Sequence, residues 1–127
     1  MALTKNPQTL ISNVTIISGS SNTSSGSVDL SGAIDFAIGY TMTFNSSATG
    51  GARIELYADP TSANPYFTVG TYDDPFDTAD IERDNGHTVS GMVIMNRSAK
   101  YVKAKVVNSS GQSLTGVSIY ATVQTQG

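Results

Sequence analysis

Residues 33–44 read AIDFAIGYTMTF, and the character of the side chains alternates at every step. Such a period-two pattern predicts a β-strand with one buried face and one face in solvent. The apolar side chains expected to point inward are Ile34, Phe36, Ile38, Tyr40, Met42 and Phe44. The outward ones are Ala33, Asp35, Ala37, Gly39, Thr41 and Thr43, which are mostly small and weakly charged. A face of this kind favours contact with a neighbouring protein over catalysis.

The same alternation returns along the chain, and clusters of Gly, Asn, Ser and Asp separate the apolar segments at spacings of about ten residues. No segment has the i, i+3, i+4, i+7 stripe of an amphipathic helix. We therefore predict an all-β fold: an antiparallel β-sandwich, jelly-roll-like or Ig-like, of about eight to nine strands with little or no helix. The expected strands are Leu10–Ser18, Ser27–Leu30, Ala33–Phe44, Ala52–Asp59, Tyr66–Thr71, Thr78–Glu82, Thr88–Asn96, Tyr101–Asn108 and Val117–Gln124.

A chain of 127 residues has the size of one domain. We expect that domain to span residues 10–127. Residues 1–9 contain Pro7 and show no apolar period, so they are expected to form an N-terminal arm that is flexible or that orders on a partner.

Composition narrows the possible functions. The chain has no cysteine, which excludes thiol nucleophiles, disulfides and thiolate metal sites and fits synthesis in a reducing cytoplasm. The net charge is −3, which disfavours nucleic acid as a partner. The first residues do not form a signal peptide, and no apolar stretch is long enough to span a bilayer, so we expect no membrane partner.

Residues 71–84 (TYDDPFDTADIERD) concentrate most of the acidic side chains. Carboxylates on a loop can bind Ca²⁺, and Asp73, Asp74 and Asp77 are the candidate ligands. Their spacing does not match an EF-hand loop, however, and Asp-Asp-Pro is common in turns. A solvated acidic loop without a metal is the favoured interpretation.

A basic segment from Arg97 to Lys105 has the opposite sign. Lys103 and Lys105 would form the outward face of a strand, where lysines oppose aggregation at a sheet edge. An alternative is that Asp80 and Glu82 of one copy meet Lys103 and Lys105 of another.

Tyr57, Tyr101 and Tyr120 fall out of phase with their aliphatic neighbours, so we expect them on outer faces. Tyrosines in such positions serve in interfaces or carbohydrate sites, and they also form cross-strand pairs. We favour an interface, and Tyr40 is expected to be inward.

The sequence offers little for catalysis, and we expect neither an enzyme nor a cofactor. His87 is the only histidine, and no serine lies in a G-x-S-x-G motif. There is no tryptophan to stack on a sugar, and no carboxylate pair is isolated among apolar residues. Asn85-Gly86 predicts a hairpin turn, with His87 exposed beside it, and Gly91 is a candidate bulge.

Three segments together resemble small β-sandwich virion proteins of tailed bacteriophages, especially capsid decoration (cement) proteins and related tail components. They are GSSNTSSGS (19–27) leading into SVDLSGAIDFAIGYTMTFN, then ARIELYAD, and then KYVKAKVVNSSGQSLTGVSIYATVQ. The resemblance implies a virion protein, made in the host cytoplasm, that binds the major capsid protein or other virion proteins and stabilises the shell. It also implies a homo-oligomer, with a trimer favoured, and no catalytic residues.

The leading hypothesis is therefore a capsid decoration protein, whose candidate contact elements are residues 1–9, 45–51, 59–65 and 71–77. One alternative is a tail or fibre module that recognises surface glycans through exposed tyrosines and the acidic loop. Another is a tail tube or connector subunit, which predicts assembly into rings.

Overall fold

The computed structural model of the chain describes residues 3–24, 26–59, 75 and 77–126. These residues form strands and turns but no helix, and so no helix that could cross a membrane. The strands are β1 (Leu3–Ile16), β2 (Ser21–Thr23), β3 (Val28–Asp29), β4 (Ala33–Thr43), β5 (Ala52–Asp59), β6 (Asp77–Ile81), β7 (Thr88–Ile94), β8 (Tyr101–Asn108) and β9 (Leu114–Gln126).

The strands form two antiparallel sheets. Sheet A has the order β1-β9-β4-β7, and sheet B has the order β2-β8-β5-β6, with β3 also pairing with β8. The predicted all-β sandwich is confirmed.

The core lies between the two sheets and follows the alternation of the sequence. In β8 every second residue is buried, and in β9 the alternate residues Val117, Ile119, Ala121 and Val123 are buried, with Ser118 as one additional buried residue. The large side chains with less than 2% of their surface exposed include Phe36, Phe44, Ile38, Met42, Ile54, Leu56, Leu114, Ile119, Val102 and Val106.

Ile34 is the exception in β4. We expected it to point inward, but 40% of its surface is exposed. Ala33 pairs with Thr125 and Asp35 pairs with Gln124, so Ile34 is an additional residue in the ladder. A bulge of this kind breaks the strict alternation, which is why the inward pattern begins only at Phe36.

The start of the chain also differs from the expectation. Strand β1 begins at Leu3, and it pairs with β9 without a register shift from Leu3↔Gln126 to Thr9↔Tyr120. Residues 3–9 therefore belong to sheet A instead of forming a separate arm. The physical reason is that β9 extends to Gln126 and offers its backbone groups to a partner strand, which a polar segment can satisfy as well as an apolar one.

The Asn85-Gly86 turn is present, but the hairpin expected around it is wrong. The His87 N–H donates to the Asp84 carbonyl oxygen at 3.0 Å, and Gly86 has a φ of 76°. The strands on either side of the turn, β6 and β7, lie in different sheets. The turn carries the chain from sheet B to sheet A.

Gly91 does not mark a bulge, because the register of β7 against β4 is continuous from Thr88 to Ile94. Its pair is Tyr40, which is half-buried against the core. The expected strand Tyr66–Thr71 and the expected contact loop 59–65, apart from residue 59, lie outside the described residues.

Candidate interaction surface

The outer face of sheet B is charged, and several of its charged side chains interact within the chain. Arg53 Nε donates to Asp80 Oδ1 at 3.0 Å, and Arg53 Nη1 lies 3.9 Å from Glu55 Oε2. This hydrogen bond and the charge of Asp80 raise the pKa of the Arg53 guanidinium. Lys105 lies opposite Glu55 in the register, with its Nζ 5.9 Å from the centre of the Tyr57 ring.

The structure gathers five of the predicted interface residues on this outer face of sheet B. Tyr57, Tyr101, Lys103 and Lys105 lie in adjacent strands, and Asp80 lies opposite Arg53 at the edge. Glu82 follows β6 and is exposed. The charges we expected to pair between copies are thus partly engaged inside one chain, since Asp80 binds Arg53.

Tyr57 does not have the exposure that an interface tyrosine needs. Only 8% of its surface is accessible, and its hydroxyl donates to Glu55 Oε1 at 2.9 Å. The expectation of an exposed tyrosine is therefore wrong at this position, although the side chain lies on the outer face by register. Tyr101 is half-buried.

Tyr120 lies on the opposite side of the sandwich, on the outer face of sheet A. In the register, one row across this sheet joins Thr9, Tyr120, Gly39 and Met92. The next row joins Pro7, Thr122, Ala37 and Ile94. These eight residues, none of them charged, are called the sheet A face below.

The sheet A face is apolar and well exposed. The accessible fractions are 68% for Met92, 76% for Ile94 and 42% for Tyr120. Ala37, Met92 and Thr122 line a depression that continues to Phe36 and to the polar side chains Lys5, Asp35 and Gln124. The small odd-numbered residues of β4 thus form the floor of an exposed apolar surface, as their pattern indicated.

The two ends of the sheet A face are polar. At one end Lys5 and Asp35 flank Gln124 in adjacent strands. At the other end hydroxyl groups pair across β4 and β7, with Thr43 Oγ1 2.6 Å from Thr88 Oγ1 and Ser90 Oγ donating to Thr41 Oγ1 at 3.0 Å. An apolar centre with a polar rim is the anatomy of a protein–protein interface.

Met92 and Ile94 were not among the interface residues that the sequence indicated. The continuous run Val93-Ile94-Met95 obscured the alternation. One signal was available in the sequence. In an alternating strand, Met92 and Ile94 lie on the face opposite Val89 and Val93, and the structure shows those two valines partly buried against the core.

The calcium hypothesis receives no support from the described residues. Asp73 and Asp74 lie outside them, and no group of three or more potential metal ligands occurs within them. Both carboxylate oxygens of Asp77 accept backbone N–H groups, from Thr78 and from Asn96, each at 2.9 Å. His87 is exposed, with Nδ1 3.0 Å from Asp84 Oδ1.

Comparison with known proteins identifies the fold and no family. No protein-family model matches the chain, and no curated protein matches it. Among solved structures, the study titled "Bacillus endospore appendages form a novel family of disulfide-linked pili" provides a chain with a TM-score of 0.51 at 11% identity, covering 98% of this chain and 89% of that one.

Two viral structures align less closely. The PRD1 vertex protein P5 has a TM-score of 0.48 at 13% identity, covering 98% of this chain and 96% of that one. A chain of the infectious bursal disease virus Gx strain has a TM-score of 0.46 at 18% identity, covering 98% of this chain and 32% of that one. At 11% identity, the similarity to the appendage protein is a similarity of fold alone. None of the three structures indicates what this chain binds.

Proposed function

We propose that this chain is a non-enzymatic structural protein of a phage particle, a capsid decoration (cement) protein that attaches through the sheet A face. The observation that carries the proposal is the contrast between the two outer faces. On the outer face of sheet B, Arg53 forms ion pairs with Asp80 and Glu55 within the chain, whereas sheet A presents Met92, Ile94 and Tyr120 on an uncharged surface. The resemblance to virion proteins supplies the biological setting.

The proposed mechanism is additive. The partner is the major capsid protein or another virion protein, and no cofactor takes part. Each copy buries a modest apolar area, and the symmetry of the particle repeats that contact many times. Tyr120 would be the anchor, because a tyrosine buries a large area at a low cost in conformational entropy.

The experiment measures how many copies bind to purified particles. Tyr120→Glu places a charge at the centre of the sheet A face, on a side chain that is already 42% exposed. Thr23→Glu is the control, because Thr23 is exposed on the edge strand of sheet B, opposite Lys105. We expect Tyr120→Glu to lower the occupancy at least tenfold and Thr23→Glu to leave it unchanged.

Two results would overturn the proposal. Full occupancy of the Tyr120→Glu variant would exclude the sheet A face as the contact. If neither the wild-type chain nor the control variant binds any particle, the virion role itself is wrong. Circular dichroism of both variants verifies that the sandwich is folded.

A further inference from the structure

Most outer edges of the two sheets carry features that oppose pairing with another chain. In sheet A, β1 contains Lys5 and Pro7, and its register shifts repeatedly between Thr9 and Ile16. In sheet B, β2 and β3 have only three and two residues, and β6 carries Asp77 and Asp80. Charges, proline, bulges and short length are the features by which β-proteins avoid edge-to-edge association.

Strand β7 has none of these features. Its seven residues, TVSGMVI, include no charge and no proline, and they pair with β4 without a register shift. Within the described part of the chain, no strand pairs with its other edge. A regular uncharged edge strand of this length is a template for another strand.

The orientation of the free backbone groups follows from the hydrogen bonds at the two ends of the ladder. Met95 N–H donates to the Phe36 carbonyl at 3.0 Å, and Phe44 N–H donates to the His87 carbonyl at 3.1 Å. Antiparallel ladders alternate between bonded and non-bonded pairs, so Val89, Gly91 and Val93 also bond to β4. The N–H and C=O groups of the intervening residues point away from β4: Thr88, Ser90, Met92 and Ile94.

We propose that β7 pairs antiparallel with β7 of a second copy of this chain, which forms a two-fold dimer with a continuous eight-stranded sheet. The charges at the two ends of the strand support this partner and this direction. The uncharged strand lies between Asp84 at its N-terminal side and Arg97 at its C-terminal side, both exposed. Antiparallel pairing places the Asp84 end of each copy beside the Arg97 end of the other, whereas parallel pairing would place like charges together.

In the register that overlaps all seven residues, Ser90 lies opposite Met92 of the partner subunit and Thr88 lies opposite Ile94 of the partner subunit. The two sheet A faces then join into one surface across the two-fold axis. The inference concerns the chain alone in solution and does not depend on the virion role. It differs from the trimer that the resemblance implied.

The test combines mass and amide exchange. Sedimentation equilibrium from micromolar to millimolar concentration is expected to show a species with twice the 13.3 kDa chain mass. In hydrogen exchange, protection of the Ser90, Met92 and Ile94 amides should rise with concentration, while the Val93 amide, bonded to β4, stays protected throughout.

Three variants locate the interface. Ile94→Lys introduces a charge into the edge. Ser90→Pro removes an outward N–H and keeps every backbone bond to β4, although it also removes the side-chain bond from Ser90 Oγ to Thr41 Oγ1. Ile17→Lys is the matched control, because Ile17 is also an exposed isoleucine, with 64% of its surface accessible, and lies outside β7. We expect the first two to raise the dimer dissociation constant at least tenfold and the control to leave it unchanged.

A chain that is monomeric at every concentration, or that forms a trimer, overturns the proposal. So does a dimer that persists in both Ile94→Lys and Ser90→Pro. Thermal unfolding of each variant shows whether the sandwich is intact, and if Ser90→Pro fails to fold, the pair Ile94→Lys and Ile17→Lys decides the question.

Discussion

The ring of Tyr40 occupies the space above Gly91, its cross-strand pair. A Cβ atom added to Gly91 would lie 2.5 Å from Tyr40 Oη and 2.8 Å from Tyr40 Cζ. Position 91 therefore requires glycine because the Tyr40 ring leaves no room for a side chain. The backbone conformation at this position does not itself require glycine. An aromatic side chain packed over a strand glycine also fixes the register of the two strands.

Gly91→Ala is expected to destabilise the fold by about 1–3 kcal/mol, because Tyr40 must move to admit the methyl group. In a Tyr40→Ala background the same change should be neutral or stabilising, since alanine restricts the unfolded chain more than glycine does. Urea unfolding of the four proteins in this double-mutant cycle measures the coupling. Equal costs in both backgrounds would show that Tyr40 is not the obstacle.

Asn108 connects the end of the sandwich to β1. It is 1% exposed, and its Nδ2 donates to the carbonyl oxygens of Ile16 at 2.8 Å and Gln112 at 2.7 Å. Its Oδ1 accepts from the N–H of Ser110 at 2.9 Å. Asn108→Ala removes these bonds, of which only the Gln112 carbonyl keeps another donor, Ser110 Oγ at 2.8 Å. We expect a loss of about 3 kcal/mol in the free energy of unfolding.

The exposed neighbour Ser109 provides the control for Asn108. Ser109→Ala should change the denaturation midpoint very little, because it removes no buried side chain. A midpoint for Asn108→Ala that equals the Ser109→Ala value would contradict the structural role of this amide.

Deletion of residues 1–9 should destabilise the domain, because residues 3–9 pair with β9. At about 1 kcal/mol for each backbone hydrogen bond lost, the cost is at least about 2 kcal/mol, and β9 becomes an exposed edge. Differential scanning calorimetry of the shortened chain checks this. An unchanged midpoint would restore the view that these residues form an arm separate from the sheet.

Asp29 gives the stability a dependence on pH. Ser31 N–H donates to Asp29 Oδ1 at 2.8 Å, and this backbone bond, followed by the bond from the Ser31 hydroxyl, lowers the pKa of the carboxyl below 3.8. A folded-state pKa below the unfolded value stabilises the fold above the unfolded pKa, and the contribution is lost as pH falls through the folded pKa.

Asp29→Asn keeps an oxygen acceptor at this turn but does not titrate. Near neutral pH, we expect a constant stability difference between wild type and Asp29→Asn. Below about pH 4, we expect the wild type to lose stability relative to Asp29→Asn. Chemical denaturation at a series of pH values measures it. Parallel curves over the whole range would show that the turn does not influence the titration of Asp29.

Local alternation predicted much of the sandwich, because burial of every second side chain is a property of each strand by itself. The inward sets of β5, β8 and β9 follow it, and so does β4 from Phe36 onward. The bulge at Ile34 depends on how β4 meets β9, and the pairing of residues 3–9 depends on a strand more than a hundred residues away. Neither relation has a local signature.

The candidate surface was only partly predictable for the same reason. The small outward residues of β4 were identified from the sequence, and Tyr120 was correctly expected on an outer face. Met92 and Ile94 border these small residues because β7 lies next to β4 in the sheet. The sheet order determines this neighbour, and the local sequence does not. The alternation of the sequence correctly puts Tyr57 on the outer face, yet its side chain is buried there. Alternation predicts the face on which a side chain lies and does not predict whether neighbouring side chains cover it.

The decisive measurement is cryo-electron microscopy of purified phage particles incubated with this chain. We expect the chain to occupy symmetric positions on the particle, with Tyr120 and the sheet A face against a neighbouring protein and the charged outer face of sheet B in solvent. Attachment through the outer face of sheet B would show that the sheet A face is not the contact, and absence of the chain from the particle would show that the virion role is wrong.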